Sequence, residues 1–159
     1  MLSQPGQFAA EETIDIETPG GSLSRVRIIG PIREKTQIEI SQTDARKLNI
    51  NPPVRQSGDI VGSVGAIITG PKGKTEIKEG VIIAERHIHC DQESAKELGL
   101  KNNQRVNVKT SGARSATFNN VVVRVHKDFA PAFHIDTDEA NAALDFNDKD
   151  SLEYGLIIK

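Results

Sequence analysis

The chain has 159 residues, a formal charge of -2 at pH 7, five Phe, one Tyr, no Trp and a single Cys. That length makes one ordinary domain or two small ones, and the near-neutral charge, with Lys and Arg scattered, offers no electrostatic footprint for a nucleic-acid backbone. A lone cysteine cannot form an internal disulfide, no apolar run approaches the roughly 20 residues of a membrane span, and the start lacks a signal pattern; the expectation is a soluble cytoplasmic protein with neither nucleic-acid nor membrane partners.

With so few aromatics the core must rest on Val, Ile, Leu and Ala, and the β-branched members of that set favour strands. Residues 1–12 read as an interior loop with a Pro5-Gly6 turn, as if the chain were truncated upstream. Residues 13–18 alternate, with Ile14 and Ile16 on one face and Asp15 and Glu17 on the other. After the turn Pro19-Gly20-Gly21-Ser22, residues 24–29 alternate again, which predicts a hairpin. Gly30-Pro31 forces a bend, and residues 36–40 resume the strand pattern. Ser41 with Asp44 three positions on predicts a capped short helix through Leu48, stopped by Pro52-Pro53, and residues 54–58 read as loop. Residues 66–69 and 74–78 form a second hairpin around Gly70-Pro71-Lys72-Gly73.

The apolar run Val81-Ile82-Ile83-Ala84 leads into Glu85-Arg86-His87-Ile88-His89-Cys90 and then Asp91 to Leu98, read as a strand end turning into a short helix. Residues 37–50 align without a gap on residues 87–100: Ile38, Gln42, Ala45 and Leu48 recur as Ile88, Gln92, Ala95 and Leu98, and the cap Ser41 is replaced by Asp91. Each helix is expected to bury its Ala and Leu against a sheet. Further on, residues 105–109 and 117–125 are strands about the turn Ser111-Gly112-Ala113. His134 ends another strand before a helix capped by Asp136 or Thr137, and the tail, residues 145–159, is either a last strand or an irregular end.

On a strand, His87 and His89 share one face, with β-carbons about 7 Å apart. That outlines a two-pronged metal clamp; surface histidines on an edge strand are the plain alternative, and so short a pattern does not decide between them. His134 is the third candidate, since three imidazoles meeting at strand ends would leave a coordination position open for water or substrate. It could equally be a helix-cap or core-edge histidine. His126 is expected to be exposed. Glu39 is by default an ordinary strand carboxylate, but the repeat puts it where His89 sits, and carboxylate oxygen is an accepted zinc donor. Arg33, after the Gly-Pro bend, is a candidate anchor for phosphate or carboxylate, with Arg55 and Arg86 competing for the role. Cys90 is out of phase with the histidines and is expected to be structural.

Several motifs in order carry a family resemblance: Gly30-Pro31-Ile32-Arg33, Thr36-Gln37-Ile38-Glu39-Ile40-Ser41, Thr43-Asp44, Pro53-Val54-Arg55-Gln56-Ser57-Gly58, Gly70-Pro71-Lys72-Gly73, Arg86-His87-Ile88-His89, and His134-Ile135-Asp136-Thr137-Asp138-Glu139-Ala140-Asn141. Over residues 2–143 the chain resembles the phosphate propanoyltransferases, the phosphotransacylases of propanediol-utilisation type. The resemblance implies a mainly β fold with short α-helices, arranged as two small related β-barrel domains, 1–83 and 84–159, the second carrying His-x-His. It implies zinc-dependent transfer of a propanoyl or acetyl group between coenzyme A and inorganic phosphate, so the partners would be acyl-CoA and phosphate or acyl phosphate. By position, His87, His89 and His134 look like ligands of one zinc, Glu39 like a ligand of another, and Arg33 like the phosphate-handling arginine. Family members carry an earlier His-x-His segment upstream of the Ser3-Gln4-Pro5-Gly6-Gln7-Phe8 loop. The resemblance therefore implies that the first barrel and its zinc site are incomplete here and that turnover is weak or lost. It leaves room for a homo-oligomer and for association with a bacterial microcompartment. A non-catalytic module that keeps the barrel to bind coenzyme A or to assemble is the alternative.

Overall fold

The structure, a computed structural model, describes residues 4–148 and 155–159. The chain divides into two compact units, Met1–Ala84 and Glu85–Lys159. Both are mainly β with short helices, as the sequence leads one to expect, and no helix among the described residues is long and apolar enough to cross a membrane.

In the first unit, strands β1 (Phe8–Thr18) and β2 (Gly21–Gly30) form the expected hairpin, longer than the alternation alone marks. Ile14 lies opposite Val26 and Ile16 opposite Leu23. After β3 (Ile38–Glu39) come helix α1 (Gln42–Lys47), the two-residue strand β4 (Val54–Arg55), β5 (Val64–Gly70) and β6 (Gly73–Ala84). The sheet order is β2-β1-β5-β6-β3, with β4 also beside β6. The predicted strand at 36–40 is thus reduced to two residues, and the predicted loop at 54–58 contains a short strand. Ile16, Ile38, Ile40, Ala45, Leu48, Ala66 and Val81 form the core of this unit.

In the second unit, β7 (His87–Cys90) is followed by α2 (Gln92–Glu97), β8 (Arg105–Thr110), β9 (Thr117–Val125), β10 (Ala132–His134), α3 (Thr137–Ala143) and β11 (Gly155–Ile158). Their order is β10-β7-β9-β8-β11. The tail does end in a strand, antiparallel to β8; the part of it at 149–154 lies outside the described residues. Val121, Val122 and Val123 are buried, as the apolar run predicts. Residues 81–90 are not one strand turning into a helix: β6 stops at Ala84, and β7 begins at His87 after Glu85 and Arg86.

The internal repeat is present in the fold. Strand β3 pairs in parallel with β6, Ile38 opposite Val81, and β7 pairs in parallel with β9, Ile88 opposite Val123. The Ser41 hydroxyl accepts from the Asp44 N–H at 3.2 Å, and the Asp91 carboxylate accepts from the Ser94 N–H at 2.8 Å, so each cap satisfies a free amide at its helix start. Both helices close identically. Asn49 and Gly99 take left-handed φ values of 52° and 61°. The N–H groups of Asn49 and Ile50 return to the carbonyls of Arg46 and Ala45, and those of Gly99 and Leu100 to Lys96 and Ala95. This is the paired hydrogen bonding of a Schellman motif. It ends α1 at Leu48, so Pro52-Pro53 lies beyond the stop rather than causing it.

The two helices differ in what covers them. Ala45 and Ala95 are both buried, but Leu48 is 0% exposed whereas Leu98 is 45% exposed, against the expectation that both leucines are buried. The β1–β2 turn makes the difference. Thr18 Oγ1 donates to the Leu48 carbonyl, and Gly21 lies so near the Lys47 carbonyl that a β-carbon would collide with it. In the second sheet the edge place beside β8 is taken by β11, which brings no hairpin partner among the described residues. Leu48→Ala should therefore cost about 2–5 kcal/mol and Leu98→Ala less than about 1 kcal/mol, read from urea midpoints. Equal losses would show that the helices are covered alike.

Candidate metal centre

Strand β7 is four residues long and lies between β9 and β10. Strand alternation sends Ile88 and Cys90 into the core of the second unit, with Val106, Val108 and Val121. His87 and His89 are left on the opposite face. Cys90 is fully buried, and burial, with a smaller contribution from Asp91, pushes its thiol up. It is structural, as its phase on the strand indicates.

The antiparallel register of β10 puts His134 directly opposite His87, and Ala132 opposite His89. The ring centroids are 4.7 Å apart for His87 and His89, 4.9 Å for His87 and His134, and 4.4 Å for His89 and His134. One potential ligand atom from each residue lies within 4.8 Å of the others. Nitrogens about 2.1 Å from a tetrahedral ion would be about 3.4 Å apart, so small ring rotations would close the set around a metal.

Two features suit these rings to a cation. The His87 Nδ1 lies 2.7 Å from the Glu85 carbonyl oxygen. Because that oxygen can only accept, the neutral ring carries its proton on Nδ1 and keeps a lone pair on Nε2, the usual way a backbone carbonyl orients a metal-binding imidazole. His89 is buried, and neither of its ring nitrogens has a hydrogen-bond partner. An unsatisfied buried polar atom costs about 1–3 kcal/mol, and ligation of a metal would remove that cost.

Burial and the neighbouring groups keep His89 and His134 neutral. His89 is pushed down to about 3, first by burial and then by His134, His87 and Arg124. His134 is pushed down to about 4 by burial, with His87 and Arg124 adding to it. Phe129 stacks on His89, with centroids 3.8 Å apart and planes 16° from parallel, and closes one side of the ring to water. The Arg124 guanidinium lies 5.8 Å from the Phe129 ring centroid.

The other candidates lie in the first unit. Arg33 and Glu39 are both exposed. Arg33 Nη1 donates to the Ser57 hydroxyl at 3.1 Å, Gln37 Nε2 donates to the same hydroxyl at 2.8 Å and also to the Glu39 carboxylate, and Gln37 Oε1 accepts from the Gly58 N–H at 2.7 Å. Glu39 belongs to no group of three metal-ligating side chains among the described residues. Of the three arginines considered, Arg55 is paired with Asp59 at 2.9 Å and Arg86 with Glu139 at 2.7 Å, whereas Arg33 makes no ion pair among the described residues. His126 is exposed, as expected, and stands beside Asp128.

Sequence reasoning missed Glu85, Phe129 and the Ser57–Gln37 link. A backbone carbonyl carries no residue signal, and Phe129 sits in a short turn after β9 with no periodicity to mark it.

The family model described as phosphate propanoyltransferase matches residues 1–145. A phosphate propanoyltransferase of Thermotoga maritima is 51% identical over 144 residues, covering 90% of this chain and 69% of the relative. Those of Rhodopseudomonas palustris and Priestia megaterium are 46% and 50% identical, covering 92% and 90% of this chain and 65% and 66% of the relatives. The chain thus spans about two thirds of the length of these curated relatives.

The depressed histidines set a direction for stability. An unfolded imidazole titrates near 6.5, so as pH falls from there toward about 4 and 3 the unfolded chain holds more protons than the folded one. The contribution of His89 and His134 is therefore complete above about 6.5 and is lost on acidification. Urea midpoints of the metal-free protein should fall between pH 7.5 and pH 5, and the fall should shrink in His89→Phe. A midpoint that stays level or rises would contradict the burial of neutral imidazoles.

Proposed function

The chain belongs to the phosphate propanoyltransferase family, and from that premise we propose that it acts in transfer of an acyl group between coenzyme A and inorganic phosphate, with zinc held by His87, His89 and His134. The observation that carries the reading is the convergence of these imidazoles around His89, whose buried ring nitrogens have no other partner. Imidazole donors suit zinc, and three of them leave the fourth tetrahedral position open, the arrangement of a catalytic rather than a structural site.

When bound, zinc supplies Lewis acidity toward a phosphate or carbonyl oxygen. The protein's own residues do the rest. Glu85 holds His87 in the tautomer that presents Nε2, and Phe129 excludes water from one face of His89. Arg33, free of an ion pair among the described residues, offers a planar fork to phosphate, with Ser57 and Gln37 bracing it. A phosphate oxygen attacks the thioester carbonyl, the carbon–sulfur bond breaks, and the sulfur departs as coenzyme A thiolate, leaving acyl phosphate. No enzyme nucleophile is needed, and Cys90, buried with its thiol pushed up, is unsuited to be one.

Glu39 is proposed as a carboxylate ligand of a second zinc. It belongs to no group of three metal-ligating side chains among the described residues, so this chain by itself should turn over weakly or not at all. Metal analysis beside release of free thiol from propanoyl-CoA with phosphate tests both parts. The expected result is a single tightly held zinc, lost in His89→Ala, with little thiol release. A chain that takes up no zinc would remove the basis of the reading, and two tightly held zincs with rapid thiol release would overturn the expectation that the site at Glu39 is incomplete in this chain.

A further inference from the structure

Strand β10 is three residues long, sits at the edge of its sheet and is held in the ladder by β7 alone. His134 is its last residue, so three residues of backbone pairing are a slender support for a side chain that must meet two others. A second support reaches it from the other ligands. Arg86 immediately precedes His87, and its Nη1 donates to Glu139 Oε1 at 2.7 Å across 53 positions of sequence. Its Nε donates to the Asn119 carbonyl at 3.0 Å, and its guanidinium carbon lies 5.6 Å from the Phe118 ring centroid. The arginine is therefore fixed in direction as well as paired.

Glu139 is equally constrained. Its other carboxylate oxygen accepts from the Asp136 N–H at 3.1 Å, and its own N–H donates to Asp136 Oδ1 at 2.8 Å, completing the capping box of α3. Asp136 stands two residues after His134. An unbroken run of charge-assisted hydrogen bonds thus links the residue before one ligand to the backbone just after another. Both side chains are partly withdrawn from water, at 33% and 22% exposed, where such bonds are stronger than on an open surface.

We infer that Arg86 and Glu139 are positioning residues: together they set His134 against His87 and His89, and so determine how tightly the three-histidine centre holds its metal. The inference rests on the metal reading above and touches neither substrate nor phosphate. Glu139 thereby serves both as the cap of α3 and as the anchor of a ligand strand, and an arginine adjacent to the histidine pair has a task other than binding an anion.

Cobalt(II), which takes the place of zinc and gives visible absorption sensitive to coordination geometry, is the probe, with affinity measured by chelator competition. Arg86→Gln and Glu139→Gln should each weaken cobalt binding by about 10-fold or more and alter the absorption band. The double variant should lose little beyond either single one, because both break the same link. Arg86→Lys, which keeps the charge but not the fork, should recover part of the affinity. Glu139→Gln leaves the Asp136 side chain in place to cap α3, so it keeps the test usable if Arg86→Gln fails to fold. Variants that melt earlier yet bind cobalt with unchanged affinity and spectrum would overturn the positioning role while leaving the metal site standing. Failure of the unaltered chain to bind cobalt would overturn the metal reading and this inference with it.

Discussion

The second unit depends on the register of β7 between β9 and β10. Four residues pair in parallel with β9 on one side, and three of them pair antiparallel with β10 on the other. Because strand side chains alternate, a slip of one residue would turn His87 and His89 into the core and expel Ile88 and Cys90. The apolar burial of Ile88 and Cys90 opposes that slip. Hydrophobic packing on one face therefore fixes the imidazoles on the other, and the same register puts His134 across from His87.

His89 and His134, kept neutral beside His87 in a half-dry setting, are an unusual use of a protein surface. Desolvation and mutual repulsion both disfavour protonation, and Arg124 adds to the effect. Each influence that would deter a proton also leaves a lone pair available, which a metal ion can use where a proton cannot be held. The unpartnered nitrogens of His89 are the local cost of keeping that arrangement ready.

Much of this was legible in the chain itself. The alternation at Ile14 and Ile16, the caps Ser41 and Asp91 and the gapless match of residues 37–50 with 87–100 led to strands, helix starts and a repeat that the fold contains. The phase of His87 against Cys90 separated the histidine face from the core. What stayed hidden has physical reasons. Leu48 and Leu98 occupy equivalent places in the pattern but differ in cover, which depends on whether a hairpin turn arrives from elsewhere in the chain. The break at Glu85 and Arg86 is invisible because the residues on both sides favour strand. The link from Arg86 to Glu139 spans 53 positions, and no local pattern marks a contact made at that distance.

The repeat also gives the two units a common logic, in which a short parallel strand presents a polar side chain and a capped helix follows. In the first unit that side chain is Glu39, engaged by Gln37, and in the second it is His89. X-ray absorption at the zinc edge on the zinc-loaded chain tests most directly whether His87, His89 and His134 hold the metal. The prediction is a first shell of nitrogen and oxygen at about 2.0–2.1 Å with the outer-shell scattering of three imidazoles, reduced by one in His134→Ala. A sulfur neighbour at about 2.3 Å would mean that Cys90 faces the metal, and would contradict the strand register on which everything else rests.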